Sequence, residues 1–252
     1  MNCGPGAAPP ESPAMNDPES LVLVPGLVCD EEVWVSQVAG LAGRWSVHVV
    51  THEPADSLGR MAERILAAAP ARFALAGHSM GGRVALEIMA RAPGRVTRLA
   101  LLDTGFERLA AGEAGERERA GRYRLRDIAR TAGMLAMGKE WALGMVHPAR
   151  LGDEALMNAI HRMMARATPQ LFEAQVEALL ARPDRRELLP TIRVPTLVLC
   201  GNEDSWSPLA RHVEMAAMMA GSMLVGVPDC GHMCTMERPA AITAALATWM
   251  QR

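Results

Sequence analysis

The stretch Gly77-His78-Ser79-Met80-Gly81-Gly82 has the clearest capacity for chemistry in this sequence. The apolar run 73–76 precedes it and a helical pattern over 83–91 follows, so the serine sits on a sharp turn between a strand and a helix. Such a turn strains the backbone, and the positions two before and two after the serine must be nearly free of side chain. Gly77 and Gly81 meet that need. In this composition the G-x-S-x-G spacing arises by chance only about 0.07 times. The turn also places the hydroxyl at the positive end of the following helix, where developing negative charge is favoured.

A serine hydroxyl is a poor nucleophile near neutral pH and needs a base, which in turn needs an orienting acid. Asp204 lies just past the apolar run 196–200, and His232 lies just past the weaker run 223–227. Both fall at strand ends, and they follow Ser79 in the order acid, then base. Asp103, at the end of the run 99–102, is a rival acid whose other reading is a cap on the next turn. His78 lies inside the serine turn and reads as structural or pocket-lining. His48, His52, His147, His161 and His212 have no identifiable partner and read as surface or hydrogen-bonded structural residues. Cys230 and Cys234 bracket His232, but no second ligand pair accompanies them, and no metal site is expected.

The elements that must position these residues follow from hydrophobic pattern. Short apolar runs at 21–24, 47–50, 73–76, 99–102, 196–200 and 223–227 alternate with helical spacing at 33–41, 58–69, 83–91, 209–219 and 240–250. Strand alternating with helix implies a parallel sheet covered on both faces, with its functional groups at the carboxyl ends of the strands. The alternation breaks once, after Asp103, where only helical patterns run to the strand near Pro195. Its Glu- and Arg-rich first part reads as a solvated helical face. Thr168-Pro169 supplies a helix start within it. Its methionines at 134, 137, 145, 157, 163 and 164 fill a core or line an adaptable pocket. The expected organisation is a tail over 1–20, a core over 21–104 and 191–252, and a helical lid over 105–190.

Over residues 21–252 the chain resembles the lidded α/β-hydrolase superfamily. The resemblance rests on Pro25-Gly26-Leu27 after the first strand, on the stretch 77–82, and on Gly201-Asn202-Glu203-Asp204 with Cys230-Gly231-His232. It implies an oxyanion hole made by the Leu27 and Met80 N–H groups. It also implies hydrolysis of a carboxylic ester, lactone or related acyl compound through an acyl-enzyme, without a cofactor. The alternatives are carbon–carbon cleavage of a dienoic diketone and a non-catalytic small-ligand receptor on the same fold. Carbon–carbon hydrolases of the superfamily commonly carry Gly-Asn-Ser at the nucleophile and tryptophan after the histidine, where this chain has Gly77-His78-Ser79 and His232-Met233. They also need a lid arginine facing the pocket, and the arginines here read as surface. Pro25 replaces the usual histidine, and Thr51-His52-Glu53-Pro54-Ala55-Asp56 replaces the family's frequent Gly-rich loop. With no room for the usual N-terminal hairpin, six mostly parallel strands are expected. Trp34 and Trp206 are candidate pocket residues, Trp141 and Phe172 are the lid aromatics, and the substrate is read as an apolar acyl compound.

Composition narrows the partners. A chain of 252 residues that is 50% hydrophobic can bury one large core. A net charge of −2 and the lack of a basic run exclude nucleic acid as the expected partner. Lys139 is the sole lysine, and the arginines are scattered along polar helix faces. Five spread cysteines argue against a disulfide framework and fit a reducing cytoplasm. The first 20 residues read as a disordered Pro-rich tail without a signal peptide, and no segment reads as a membrane span.

Overall fold

Six short, largely apolar segments pair side by side as parallel strands, the four central ones almost wholly buried and the two edge ones only partly so. They are β1 (Ser20–Val24), β2 (Ser46–Val49), β3 (Phe73–His78), β4 (Val96–Leu102), β5 (Thr196–Gly201) and β6 (Met223–Val227). In the computed structural model, which describes residues 19–252, they form one sheet in the order β2-β1-β3-β4-β5-β6. Every pairing is parallel, so the sheet is wholly and not just mostly parallel. The expected tail falls outside the described residues over 1–18. Its last residue is corrected, since Ser20 pairs with Ser46 as part of β1.

The chain leaves β1 to one side to form β2 and returns on the other side to form β3. This reversal opens a crevice at the carboxyl ends of β1 and β3, which lie in register from Leu21 against Ala74 to Val24 against Gly77. The connecting helices are α1 (Val35–Leu41), α2 (Leu58–Ala68) and α3 (Met80–Arg91). Between β4 and β5 the chain forms α4 (Glu113–Ala132), α5 (Met134–Ala142), α6 (Glu154–Arg166) and α7 (Pro169–Leu180). After β5 come α8 (Leu209–Met218), the short α9 (Cys234–Glu237) and α10 (Pro239–Met250). No helix among the described residues is long and apolar enough to cross a membrane.

Local chemistry explains the inserted helices. Thr168 caps α7 by accepting a hydrogen bond from Leu171 N–H at 3.1 Å, with Pro169 in the first turn, as the sequence suggests. Asp153 caps α6 in the same way through Leu156 N–H. The methionines at 134, 137, 145, 157, 163 and 164 are all buried. Trp249, on α10, is fully buried and donates its indole N–H to Pro195 O at the entry to β5.

Candidate active site

β3 runs straight into Ser79, which adopts φ 55° and ψ −118°, a strained conformation for a residue with a side chain. The glycines around it are required by close packing. A Cβ on Gly77 would collide with the Gly81 carbonyl, and one on Gly81 would collide with the carbonyl of Val24. The strain is held by Thr104, whose hydroxyl donates to Ser79 O at 2.7 Å, and by Ser79 N–H, which donates to Leu102 O at 2.8 Å.

The three residues read as a chemical unit come together. Ser79 Oγ lies 2.7 Å from His232 Nε2, and His232 Nδ1 lies 2.8 Å from Asp204 Oδ2. The other Asp204 oxygen accepts the N–H groups of Trp206 and Ser207 at 2.8 and 2.9 Å. Burial opposes ionisation of this carboxyl, but the His232 charge and these hydrogen bonds hold it below the ordinary carboxylate range. Burial also works against a charged His232. The Asp204 charge and hydrogen bond outweigh it, with help from Asp103 and Glu237, and raise the imidazole above its ordinary 6.5.

Asp103 is fully buried at the end of β4 but does not bond His232. Its Oδ1 accepts Gly201 N–H at 2.8 Å, tying the ends of β4 and β5 together, and its Oδ2 lies 3.6 Å from His78 Nε2. His78 donates Nε2–H to His232 O at 2.8 Å and so anchors the histidine loop. His212 bonds Thr104 N–H and Pro208 O, and burial lowers its pKa. Two buried donor triplets meet at Asp103, one with His78 and Cys234 and one with Cys200 and Asp204. Burial is the largest cause that raises both thiols above their ordinary value.

Leu27, in the loop after β1, and Met80, at the start of α3, line the same cavity as Ser79. Among the described residues neither backbone N–H donates to a protein acceptor. The loop after β1 is held by side chains that sequence reasoning did not pair with it. Gln175 Oε1, on α7, accepts Val28 N–H at 2.7 Å, and His52 Nε2–H donates to Pro25 O at 3.0 Å. His52 thereby supports the loop from the segment that replaces the usual Gly-rich one. On the other side, His232 N–H donates to Met145 O at 2.7 Å. Buried Glu237 accepts from the N–H groups of His147, Gly231 and Met233.

A cavity of about 520 Å³ opens over Ser79 and His232. Its apolar wall includes Leu27, Met80, Met145, Leu179 and Trp141, and Trp206 lines it as expected. Trp34 does not. It ends the one-turn helix Glu31–Trp34, fully buried, and packs edge-on against His78 with ring centroids 6.3 Å apart. Phe172 is also buried outside the cavity. The larger correction concerns the arginines. Arg83, Arg108, Arg122, Arg182, Arg186 and Arg211 all line the cavity, so the surface reading holds for exposed inserted arginines such as Arg117, Arg124 and Arg130 but fails for Arg122 and Arg182. Arg122 and Arg182 are 8% exposed, folded inward onto Glu118.

Comparison with known proteins agrees with this geometry. Residues 21–246 match the Alpha/beta hydrolase family. The chain is 27% identical over 236 residues to a pimeloyl-[acyl-carrier protein] methyl ester esterase of Nitrosomonas europaea, covering 86% of this chain and 89% of that protein. It is 27% identical over 169 residues to a 2-hydroxy-6-oxononadienedioate/2-hydroxy-6-oxononatrienedioate hydrolase of a Pseudomonas species, covering 66% of this chain and 58% of that protein. A solved thermophilic esterase from Thermogutta terrifontis superposes with a TM-score of 0.81 at 25% identity, covering 93% of this chain and 90% of that one. With the family match spanning nearly the whole described chain and the strand-end geometry intact, the protein is a member of the α/β-hydrolase family.

Proposed function

We propose that this protein is a cofactor-independent serine hydrolase that cleaves a carboxylic ester or lactone, with residues 105–190 as its lid. The observation that carries the reading is the continuous hydrogen-bond chain from Ser79 through His232 to Asp204. Ser79 Oγ attacks the acyl carbon while His232 Nε2 takes the hydroxyl proton. The Leu27 and Met80 N–H groups hold the oxyanion. As the intermediate collapses, the acyl–oxygen bond breaks and His232 returns the proton to the departing alkoxide. Water then enters, gives its proton to His232 and its oxygen to the acyl carbon, and Ser79 leaves protonated. Asp204 fixes the tautomer that leaves Nε2 free to accept and stabilises the charged ring. The ester reading has support from relatives named as methyl ester esterases.

A second reading is carbon–carbon cleavage by the same three residues. It gains support from arginines that line the cavity, the feature the sequence had denied it, and from the dienedioate hydrolase relative. The direct test is a substrate panel of methyl esters, lactones and dienoic diketones, with a fluorophosphonate probe followed by peptide mapping. The ester reading expects labelling at Ser79 and turnover of esters. A diketone cleaved with at least about a hundredfold higher kcat/KM than any ester overturns it in favour of the second reading. Tight ligand binding with neither turnover nor labelling replaces both with a receptor.

The electrostatics set a pH dependence. The base must be neutral to accept the serine proton, so activity is present above the His232 pKa and lost below it. Because that pKa is raised, the acid limb of kcat/KM should have its midpoint above 6.5. Profiles on an unactivated ester from about pH 5 to 9 check this, and a midpoint below 6.5 counts against His232 as the base.

A further inference from the structure

The arginines of the cavity are not equally satisfied. Arg182 grips Glu118 with two hydrogen bonds at 2.7 and 2.8 Å, and Arg122 reaches the same carboxylate at 2.9 Å. Arg186 and Arg211 share Glu107. Arg83 differs. It stands on α3, one helical turn after Ser79, and its guanidinium bonds only the backbone oxygen of Glu107, at 2.8 Å. Among the described residues no carboxylate pairs with it. Burial, followed by repulsion from Arg182, Arg211 and Arg122, pushes its pKa well below the usual arginine value, and Glu118 opposes this only in part. An arginine stays charged even so. The fold therefore keeps an uncompensated cation in the wall of the cavity that contains Ser79 and His232.

We infer that the molecule acted on here carries a second, anionic group, a carboxylate or a phosphate-type oxyanion, which Arg83 binds while its ester lies at Ser79. The inference rests on the serine hydrolase reading. A guanidinium with free N–H groups in a cavity wall suits an oxyanion that can take two parallel hydrogen bonds from it. Arg122, Arg182, Arg186 and Arg211 add to the field without competing for the ligand, because Glu118 and Glu107 already occupy them, whereas Arg108, the other arginine of the cavity, is exposed to solvent. The apolar wall of Leu27, Met145 and Leu179 then takes the short chain between the two ends.

The test compares two methyl esters with the same six-carbon acyl chain, monomethyl adipate and methyl hexanoate. Wild-type protein is expected to prefer the adipate at least about tenfold in kcat/KM, and Arg83→Gln to lower that preference at least about tenfold. Arg83→Lys should keep part of it. Arg117→Gln, at an exposed residue paired with Glu113 outside the cavity, should leave it in place. Methyl 5-phosphonopentanoate separates the two anion types, and preference for it over the adipate assigns the phosphate-type group. A merely structural Arg83 would move both rates together, and an unchanged ratio in Arg83→Gln overturns the inference. So does a wild type that favours methyl hexanoate. If no ester is hydrolysed, the serine reading fails separately. Calorimetry with adipate and with inorganic phosphate then decides. Binding of either probe at least about tenfold tighter to wild type than to Arg83→Gln upholds the anion site, and equal binding refutes it.

Discussion

Ser79→Ala is expected to lower kcat by about 10⁵- to 10⁶-fold on any ester the protein hydrolyses, the scale seen when a triad loses its nucleophile. The fold should survive. Ser79 already holds its Cβ at φ 55°, so alanine adds no new backbone strain. The variant loses only the hydroxyl and its hydrogen bond to His232, a loss of about 1 kcal/mol and a drop in Tm of about 2–4 °C. Turnover is measured on highly purified protein beside thermal unfolding. A residual rate within tenfold of wild type in a folded variant removes Ser79 from the mechanism.

Asp204→Asn is expected to cost about 10²- to 10⁴-fold in kcat. Asparagine keeps an oxygen for the Trp206 and Ser207 amides but presents an NH₂ to His232 Nδ1, which favours the wrong tautomer. Asp103→Asn should cost less than about tenfold, because its asparagine oxygen can still accept Gly201 N–H and the residue does not bond His232. Rate constants for the two variants on one ester make the comparison. A reversal of the two losses transfers the role of the acid to the end of β4.

Both assignments rest on features visible in the chain before folding. A strand buried on both faces must be largely apolar, so β1, β3, β4 and β5 announced themselves, the partly buried edge strands β2 and β6 still carried apolar runs, and the residues just past β3, β5 and β6 marked Ser79, Asp204 and His232. The failures come from contacts between segments far apart in the chain. β4 starts at Val96, three residues before its apolar run, because Thr97 and Arg98 are polar. Both side chains bond Glu19, a partner 78 and 79 residues away that no periodic pattern can find. Arg83 looks like any polar residue on a helix until the inserted helices fold over it. The arginines of α4 do sit in a solvated Glu/Arg pattern, yet Arg122 turns inward because Glu118 and Arg182 meet it there. Gln175 and His52 carry no local mark of the loop they hold, since each bond joins segments far apart in sequence.

Two hydrogen bonds that the inserted segment accepts from backbone amides of the core limit how the protein could be re-engineered. Met145 O takes the N–H of His232 itself, and Gln175 takes the N–H of Val28, one residue past Leu27. A foreign insert grafted between β4 and β5 would have to reproduce an acceptor at both places or leave a buried amide orphaned, at about 1–3 kcal/mol each. The insert is thus no interchangeable cassette. A chimera chosen only for its new pocket would also loosen the loop that presents the proposed base and the loop that presents the proposed oxyanion donor, so under that proposal altered selectivity and lost turnover would arrive together.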